Sequence, residues 1–211
     1  MPTRRPNNRR PRVFINCPFD DDYGDMLRAI AFAIASCGFE PACALDDDDS
    51  GKIRFDKLKA LIEVSDLSVH DLSRIELDHD TQTPRFNMPF ELGLYLGAKH
   101  FGGRRQRRKR SLVMAKSRRE WAPTMSDLAG VDPSFHGGKP DAAIRAVRDF
   151  LHASPQGRML PGETALVADH RRFLRDLPGM AEAARLTEKE ALRYRNYITL
   201  LQAFLEAKPG S

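Results

Sequence analysis

The chain has 211 residues, of which 41% are hydrophobic and 30% charged. This composition is typical of one folded domain with an appendage, or at most two small domains. The net charge of +5 is local, because basic residues crowd the N-terminus and residues 104–110 (RRQRRKR), and the remainder is acidic. No aromatic residue interleaves either cluster, which argues against a platform that stacks nucleic-acid bases.

The three cysteines predict the compartment. Cys17, Cys37 and Cys43 are odd in number, lie in apolar contexts and form no C-x-x-C pair, as expected of reduced thiols in the cytoplasm. The apolar stretch at residues 29–37 is too short to cross a bilayer. The basic N-terminus is followed by a predicted strand rather than by a signal-peptide hydrophobic region. We therefore expect a cytoplasmic protein with no membrane contact.

Short apolar runs alternate with helical patterns in the first half of the chain. The sequence predicts strands at residues 13–17 (VFINC), 39–45, 67–71 and 111–115 (SLVMA). Helical spacing predicts a helix that ends at Gly38, a second that contains Phe55 and Ile62, and a third that contains MPFELGLYLGA. Because helices return the chain between parallel strands, this alternation indicates an α/β fold with a parallel sheet covered on both faces.

The second half of the chain becomes helical. A fifth strand is predicted near Val131, and an amphipathic helix follows at residues 140–152. Two more helices are predicted at 163–177 and 187–207, the latter opened by a capping box of Thr187 and Glu190. The predicted organisation is a basic disordered tail at 1–12, an α/β domain at 13–152, a linker at 153–161 and a helical extension at 162–211.

Glu91 is the only formally charged side chain in MPFELGLYLGA, residues 88–98. Pro89 suits the first turn of a helix, so Glu91 is expected near the N-terminus of a largely buried helix. The helix dipole favours the carboxylate while apolar neighbours oppose its desolvation, a combination typical of catalytic groups. Asn87, Glu91 and Tyr95 are four residues apart and would share one face. The alternative is a polar stripe that faces solvent.

Ligands of parallel α/β sheets bind beyond the carboxyl ends of the strands. The loops at residues 18–25, 46–52 and 71–87 are therefore expected to lie together. The sequence contains neither G-x-G-x-x-G nor G-x-x-x-x-G-K-[ST], which argues against an ordinary Rossmann dehydrogenase and a P-loop NTPase.

Three other sets of polar residues suggest a metal site or a catalytic triad, but in each set another interpretation is favoured. The acidic run at 46–49 precedes a predicted helix, where acids are usually solvated. His70 and residues 78–80 (DHD) have no recognised zinc spacing, so no metal site is expected. Ser126 and Asp127 with His136 suggest a triad, but no nucleophile elbow accompanies them, and His136 is interpreted as a loop residue.

Four segments carry a family resemblance: CPFDDDY after the first strand, HDLSR at the end of the third, FNMPFELGLYLGAKHFG, and the strand SLVMA. Together they resemble the nucleoside 2-deoxyribosyltransferase-like proteins, which are structurally related to the TIR-like NAD hydrolases. The resemblance covers residues 13–115 and implies a flavodoxin-like sheet. It also implies a helix of the type E-[LI]-G-Y-A-x-x-x-G-K, whose Glu attacks the anomeric carbon of a ribosyl or deoxyribosyl group.

The resemblance assigns Glu91 as the nucleophile and Asp71 as an acid that contacts the sugar. A carboxylate suits this chemistry because an oxocarbenium-like state is stabilised or captured by negative charge. Alternatively, Asp71 caps a turn with Ser73, and Asn87 caps its helix. Tyr23 would stack on a base or cover the sheet edge. The full set of implied substrate-binding residues is Phe19, Asp20, Tyr23, Ser73, Asn87 and Tyr95.

One departure from the family concerns Ile15, Asn16 and Cys17, which replace a small, glycine-bearing strand end. Hydrolysis is therefore expected as readily as transfer to an acceptor base. The expected function is N-glycosidic cleavage or base exchange on NAD, a nucleotide or a (deoxy)nucleoside, with no separate cofactor. Such domains often serve bacterial antiphage defence or signalling. The alternative is a non-catalytic module that binds a nucleotide signal or a protein through the same cleft.

Two regions are expected to meet partners. The helical extension at 162–211 is compatible with homo-oligomerisation or with docking of a partner protein. The basic segment, which begins with Arg104 and ends with Arg110, is expected at the sheet end opposite the site. It would contact nucleic acid, an acidic partner or a neighbouring subunit, or form a solvated loop.

Overall fold

The computed structural model describes residues 10–46, 51, 53–73, 86–119, 121, 130–155 and 159–207. These residues form a five-stranded parallel sheet in the order β2-β1-β3-β4-β5. The strands are β1 (Arg12–Asn16), β2 (Glu40–Ala42), β3 (Leu67–Asp71), β4 (Arg110–Ala115) and β5 (Ser134–Phe135). This is the flavodoxin-like strand order, so the predicted α/β fold with a parallel sheet is confirmed.

Helices cover both faces of the sheet. They are α1 (Gly24–Ser36), α2 (Arg54–Val64), α3 (Asn87–Phe101), α4 (Pro140–His152), α5 (Glu163–Ala183), α6 (Glu188–Ala191) and α7 (Tyr194–Glu206). Successive strand residues point to opposite faces. Val13 and Ile15 pack with α1 and α4, whereas Phe14 packs with α2 and α3. The central strands are consequently buried on both sides, and the face toward α2 and α3 also carries the polar side chains of Asn16, Ser68 and His70.

The C-terminal helices form a further layer outside α1. Phe32 and Ala35, on the side of α1 that the sheet does not cover, pack against α5 and α7 through Phe173 and Tyr197. Leu166 of α5 joins the cluster that α1 and α4 share with the sheet. The described part of the helical extension therefore packs directly on the α/β domain, and α1 is buried on both sides.

Most predicted boundaries agree closely with the structure, β3 and α4 to the residue. The predicted capping box of Thr187 and Glu190 is present, but the helix expected at 187–207 is divided into α6 and α7. The Asn196 side chain, in the first turn of α7, donates to the Glu190 carbonyl at 2.8 Å and so provides a partner for one of the carbonyls at the end of α6. The strand β2 is shorter than expected: it includes Pro41 but ends at Ala42, and a single helical turn follows at Ala44–Asp46.

Several sequence predictions lie outside the described residues. These include most of the basic tail, residues 47–49 of the acidic run, residues 78–80, and the pair Ser126 and Asp127. None of the helices that the structure describes is long and apolar enough to cross a membrane. The three cysteines are all free and buried, as predicted.

Candidate functional site

A cleft of about 560 Å³ opens beyond the carboxyl end of β1. It lies beside the point between β1 and β3 where the strand order reverses, which is where ligands of this fold class bind. Residues 17–20 form one wall after β1, and residues 44 and 45 follow β2. The N-terminal parts of two helices complete the cleft, with Arg54 and Lys57 from α2 and Asn87, Met88 and Glu91 from α3.

Glu91 lies on the inward face of α3 with only 8% of its surface exposed. Burial raises the pKa of its carboxyl group to about 7, an effect that the nearby Arg54 guanidinium partly opposes. Near neutral pH this side chain therefore populates both protonation states, which suits an acid–base or nucleophilic role. Asn87, one turn earlier, is exposed at the same cleft.

A buried amide fixes the first turn of α3 relative to the sheet. Asn16 lies opposite His70 in the sheet register, and its Nδ2 donates to His70 Nδ1 and to the Met88 carbonyl, both at 2.9 Å. Burial lowers the pKa of His70 to about 3, so the ring is neutral. Its Nε2 then carries the proton and donates to Ser68 Oγ at 2.9 Å. Asn16 thus ties β1 and β3 to Met88 of α3, three residues before Glu91.

Asp71 is buried at the end of β3 and does not line the cleft. Its Oδ1 accepts from the Ser73 backbone N–H at 2.9 Å and from the Ser73 hydroxyl. Its Oδ2 accepts from the Tyr23 hydroxyl and faces His136 Nε2 at 2.9 Å. These four donors occupy the carboxylate lone pairs. The structure therefore places Asp71 in the turn with Ser73, not against a sugar.

His136 joins this cluster from the loop between β5 and α4. Its Nδ1 accepts from the Gly138 N–H at 3.0 Å, so the ring proton is on Nε2. Nε2 contacts both the Asp71 carboxylate and Ser73 Oγ, the latter at 2.8 Å. A catalytic triad needs the acid and the hydroxyl on opposite ring nitrogens, whereas here both contact Nε2. We therefore interpret the cluster as a structural link between the ends of β3 and β5.

The remaining members of the implied set divide between the cleft and other places. Phe19 and Asp20 line the cleft with Glu91. Tyr23 is buried, and its hydroxyl bonds to Asp71, so its ring is not presented to a base. Tyr95 lies at the other end of the sheet, near the amino end of β4, where its hydroxyl donates to the Arg110 carbonyl at 3.2 Å. Tyr95 is therefore not part of the cleft.

Cys17 lies between the cleft and the buried cluster. Burial, followed by the charges of Asp71, Cys43, Glu91 and Asp20, raises the pKa of its thiol well above the ordinary value. A thiol held protonated in this way is a poor nucleophile. Glu91 is consequently the group in the described cleft best suited to attack carbon.

Sequence reasoning missed Arg54 and Lys57 as cleft residues. They lie in the first turn of α2, which follows the loop after β2, and their position at the carboxyl edge of the sheet is the signal that would have identified them. Two cations from one helix end bring positive charge to a cleft that also contains Asp20 and Glu91. This arrangement suits a ligand with a phosphate group as well as a sugar.

The basic segment lies at the other end of the sheet, as expected, but part of it has a structural role. Arg105, Gln106 and Lys109 donate to the carbonyls that end α2, at residues 62–65. Cations at a helix C-terminus satisfy orphan carbonyls and complement the dipole. Lys109 is 1% exposed. The prediction of a solvated or partner-binding segment therefore applies to Arg104, Arg107 and Arg108.

The sequence matches no protein-family profile, and no curated protein is significantly similar to it. Within the part of the chain that the structure describes, no group of three His, Cys, Asp or Glu residues is arranged to hold a metal ion.

Proposed function

We propose that this protein cleaves N-glycosidic bonds in NAD, a nucleotide or a (deoxy)nucleoside, with Glu91 as the carboxylate at the anomeric carbon. The observation that carries the proposal is a buried carboxylate, with a pKa of about 7, in a cleft at the switch point of a flavodoxin-like sheet. The sequence resemblance around ELGLYLGAK supports the same assignment.

In the proposed step, the bond between the sugar C1′ and the base nitrogen breaks, and the base leaves with the electron pair. Ionised Glu91 stabilises the positive charge at C1′ or bonds to it, and water or an acceptor base then takes the sugar. The nicotinamide of NAD departs as a neutral molecule and needs no proton, whereas a purine or pyrimidine base that departs as an anion takes its proton from water. Arg54 favours the ionised form of Glu91 that this step requires.

Three further features of the cleft support the choice of substrate. Asp20 offers a carboxylate within the cleft, so we assign to it the sugar contact that the resemblance gave to Asp71. Arg54 and Lys57 would bind a phosphate group, which favours a nucleotide or NAD over a free nucleoside. Phe19 supplies an apolar surface for the base.

The test is to incubate the purified protein with NAD, nucleotides and nucleosides and to follow the free base by chromatography. We expect base release that rises with pH through about 7, as Glu91 ionises. Glu91→Gln should lower the rate at least 100-fold, because the amide lacks the charge that stabilises the transition state. Glu182→Gln, an exposed position on α5, is the matched control and should behave as the unaltered protein. Base release by a folded Glu91→Gln variant at the unaltered rate would contradict the assignment.

A second candidate is a module that binds a nucleotide without cleaving it. It is favoured by the bonding of Asp71, which removes one of the two implied catalytic acids from the cleft. Nucleotide binding that depends on Arg54 and Lys57, without release of any base, would favour this module. A role in bacterial defence or signalling rests on the sequence resemblance alone.

A further inference from the structure

A second cavity, of about 530 Å³, lies between α1, α4 and α5. It shares no lining residue with the cleft that contains Glu91. The face of the sheet that carries α1 and α4 is opposite to the one that carries α2 and α3, so the two cavities lie on different sides of the protein. What the second cavity binds is therefore independent of the function proposed above.

Positive charge dominates the lining of this cavity. Four cations from separate parts of the chain contribute to it: Arg28, Lys139, Arg145 and Arg171. Two carboxylates also line it, and each holds one arginine: Asp25 contacts Arg28 at 2.7 Å and Asp141 contacts Arg171 at 2.6 Å.

These ion pairs leave donor capacity. A guanidinium has five N–H donors, more than a single carboxylate contact uses. Arg145 has Glu163 at 3.7 Å, a contact too long to be a hydrogen bond. The lining therefore retains excess positive charge and donors for an anion.

An unpartnered histidine makes this cavity more than a cluster of surface cations. His170 lines it, is 4% exposed, and its Nε2 has no hydrogen-bond partner. Buried polar atoms in native proteins nearly always have a partner, so this nitrogen calls for one that the chain does not supply. Burial lowers the pKa of His170, which keeps the ring neutral and able to offer a single N–H.

The N-terminus of α4 contributes a third feature. This helix has 13 residues and begins at Pro140, which has no N–H, and the Ala142 and Ala143 N–H groups donate to the Lys139 carbonyl. The first turn leaves the Asp141 N–H as a donor for a ligand. The positive end of the helix dipole therefore lies at the cavity beside Lys139 and Asp141. Backbone, side-chain charge and a buried N–H thus converge from three elements.

We propose that the cavity between α1, α4 and α5 is a binding site for a phosphate-class oxyanion. In the proposed complex the proton of the neutral His170 ring is on Nε2. This N–H and the Asp141 N–H at the start of α4 donate to the anion, and Lys139 and Arg145 neutralise its charge. Its volume accommodates a phosphoryl group or a short oligophosphate together with bound water.

The test is calorimetric titration of the full chain with inorganic phosphate, pyrophosphate and tripolyphosphate at constant ionic strength set by sodium chloride. A second measurement follows the imidazole nitrogens of His170 by NMR during the same titrations. The pocket variant is Lys139→Gln with Arg145→Gln, two exposed side chains whose replacement should leave the fold intact. The control for charge alone is Arg175→Gln with Lys189→Gln, and the control for the other cavity is Arg54→Gln with Lys57→Gln.

We expect at least one of the three anions to bind, with a shift of the His170 resonances and a loss of at least tenfold in affinity in the pocket variant. Both control variants should retain a site that shifts His170. The preferred chain length separates a site for a single phosphoryl group from one for an oligophosphate. The proposal is overturned if no anion binds beyond the effect of chloride, if the pocket variant binds unchanged, or if the His170 resonances do not move.

Discussion

Replacement of Glu91 by Gln should make the protein more stable at alkaline pH. Burial raises the pKa of this carboxyl group from 4.5 to about 7, so between these values the folded state binds more protons than the unfolded chain. Stability that depends on the protonated carboxyl is present below pH 4.5 and is lost as pH rises through 7. Above pH 7 the fold therefore carries a buried charge that Gln does not impose.

The size of the effect follows from the same pKa values. The separation between 4.5 and about 7 corresponds to about 3 kcal/mol at about 1.4 kcal/mol per pKa unit. Glu91→Gln should therefore raise the free energy of unfolding by about 3 kcal/mol at pH 8.5. For a chain of this length, that gain is about 6–12 °C in Tm. The difference between the two proteins should shrink towards zero at about pH 4.5, where Glu91 is protonated in the fold.

Urea denaturation of both proteins at pH 4.5, 7 and 8.5 measures this difference in the free energy of unfolding. The other titratable groups are the same in both proteins, so their contributions to the difference cancel. Glu182→Gln is the control because its side chain is exposed on α5. A stability difference that does not change with pH, or a less stable Gln variant at pH 8.5, would refute the reasoning. A stability difference that does not change with pH would mean that solvent reaches the Glu91 carboxylate. Together with loss of base release, a pH-dependent gain would show that the protein gives up stability to keep this charge in its cleft.

Three further substitutions test buried polar contacts of the fold. Asp71→Asn replaces an acceptor of four hydrogen bonds by an amide that must present a donor, and should lower the free energy of unfolding by about 3 kcal/mol in urea denaturation; a loss below about 1 kcal/mol would contradict the bonding described. Lys109→Met removes the donor to the carbonyls that end α2 and should cost about 2 kcal/mol by the same assay, whereas Arg108→Met should cost little. Asn16→Ala releases the first turn of α3, and we expect kcat for base release to fall at least tenfold with KM nearly unchanged. A change in KM alone would show that Asn16 does not position Glu91.

The first helix shows where sequence periodicity was sufficient and where it was not. Its stripe of Met26, Leu27, Ile30 and Ile34 predicted the face that packs on the sheet. Phe32, on the opposite face, is fully buried under α5 and α7, a contact that the spacing within α1 did not predict. Periodicity identifies an apolar face, but it does not say which distant helix covers the other one.

The sequence by itself determined the parallel sheet, the order of strands and helices along the chain, and the position of Glu91 near the N-terminus of a largely apolar helix. These features are local: they depend on periodicity, on Gly and Pro at element ends, and on one charge in an apolar run. Only the tertiary structure decided which polar residues meet. Ser73 and His136, 63 positions apart, come together because β3 and β5 end at the same sheet edge. Their bonds withdraw Asp71 from the cleft, while Arg54 and Lys57 enter it from α2, because partners across a sheet are set by packing and not by spacing in the chain.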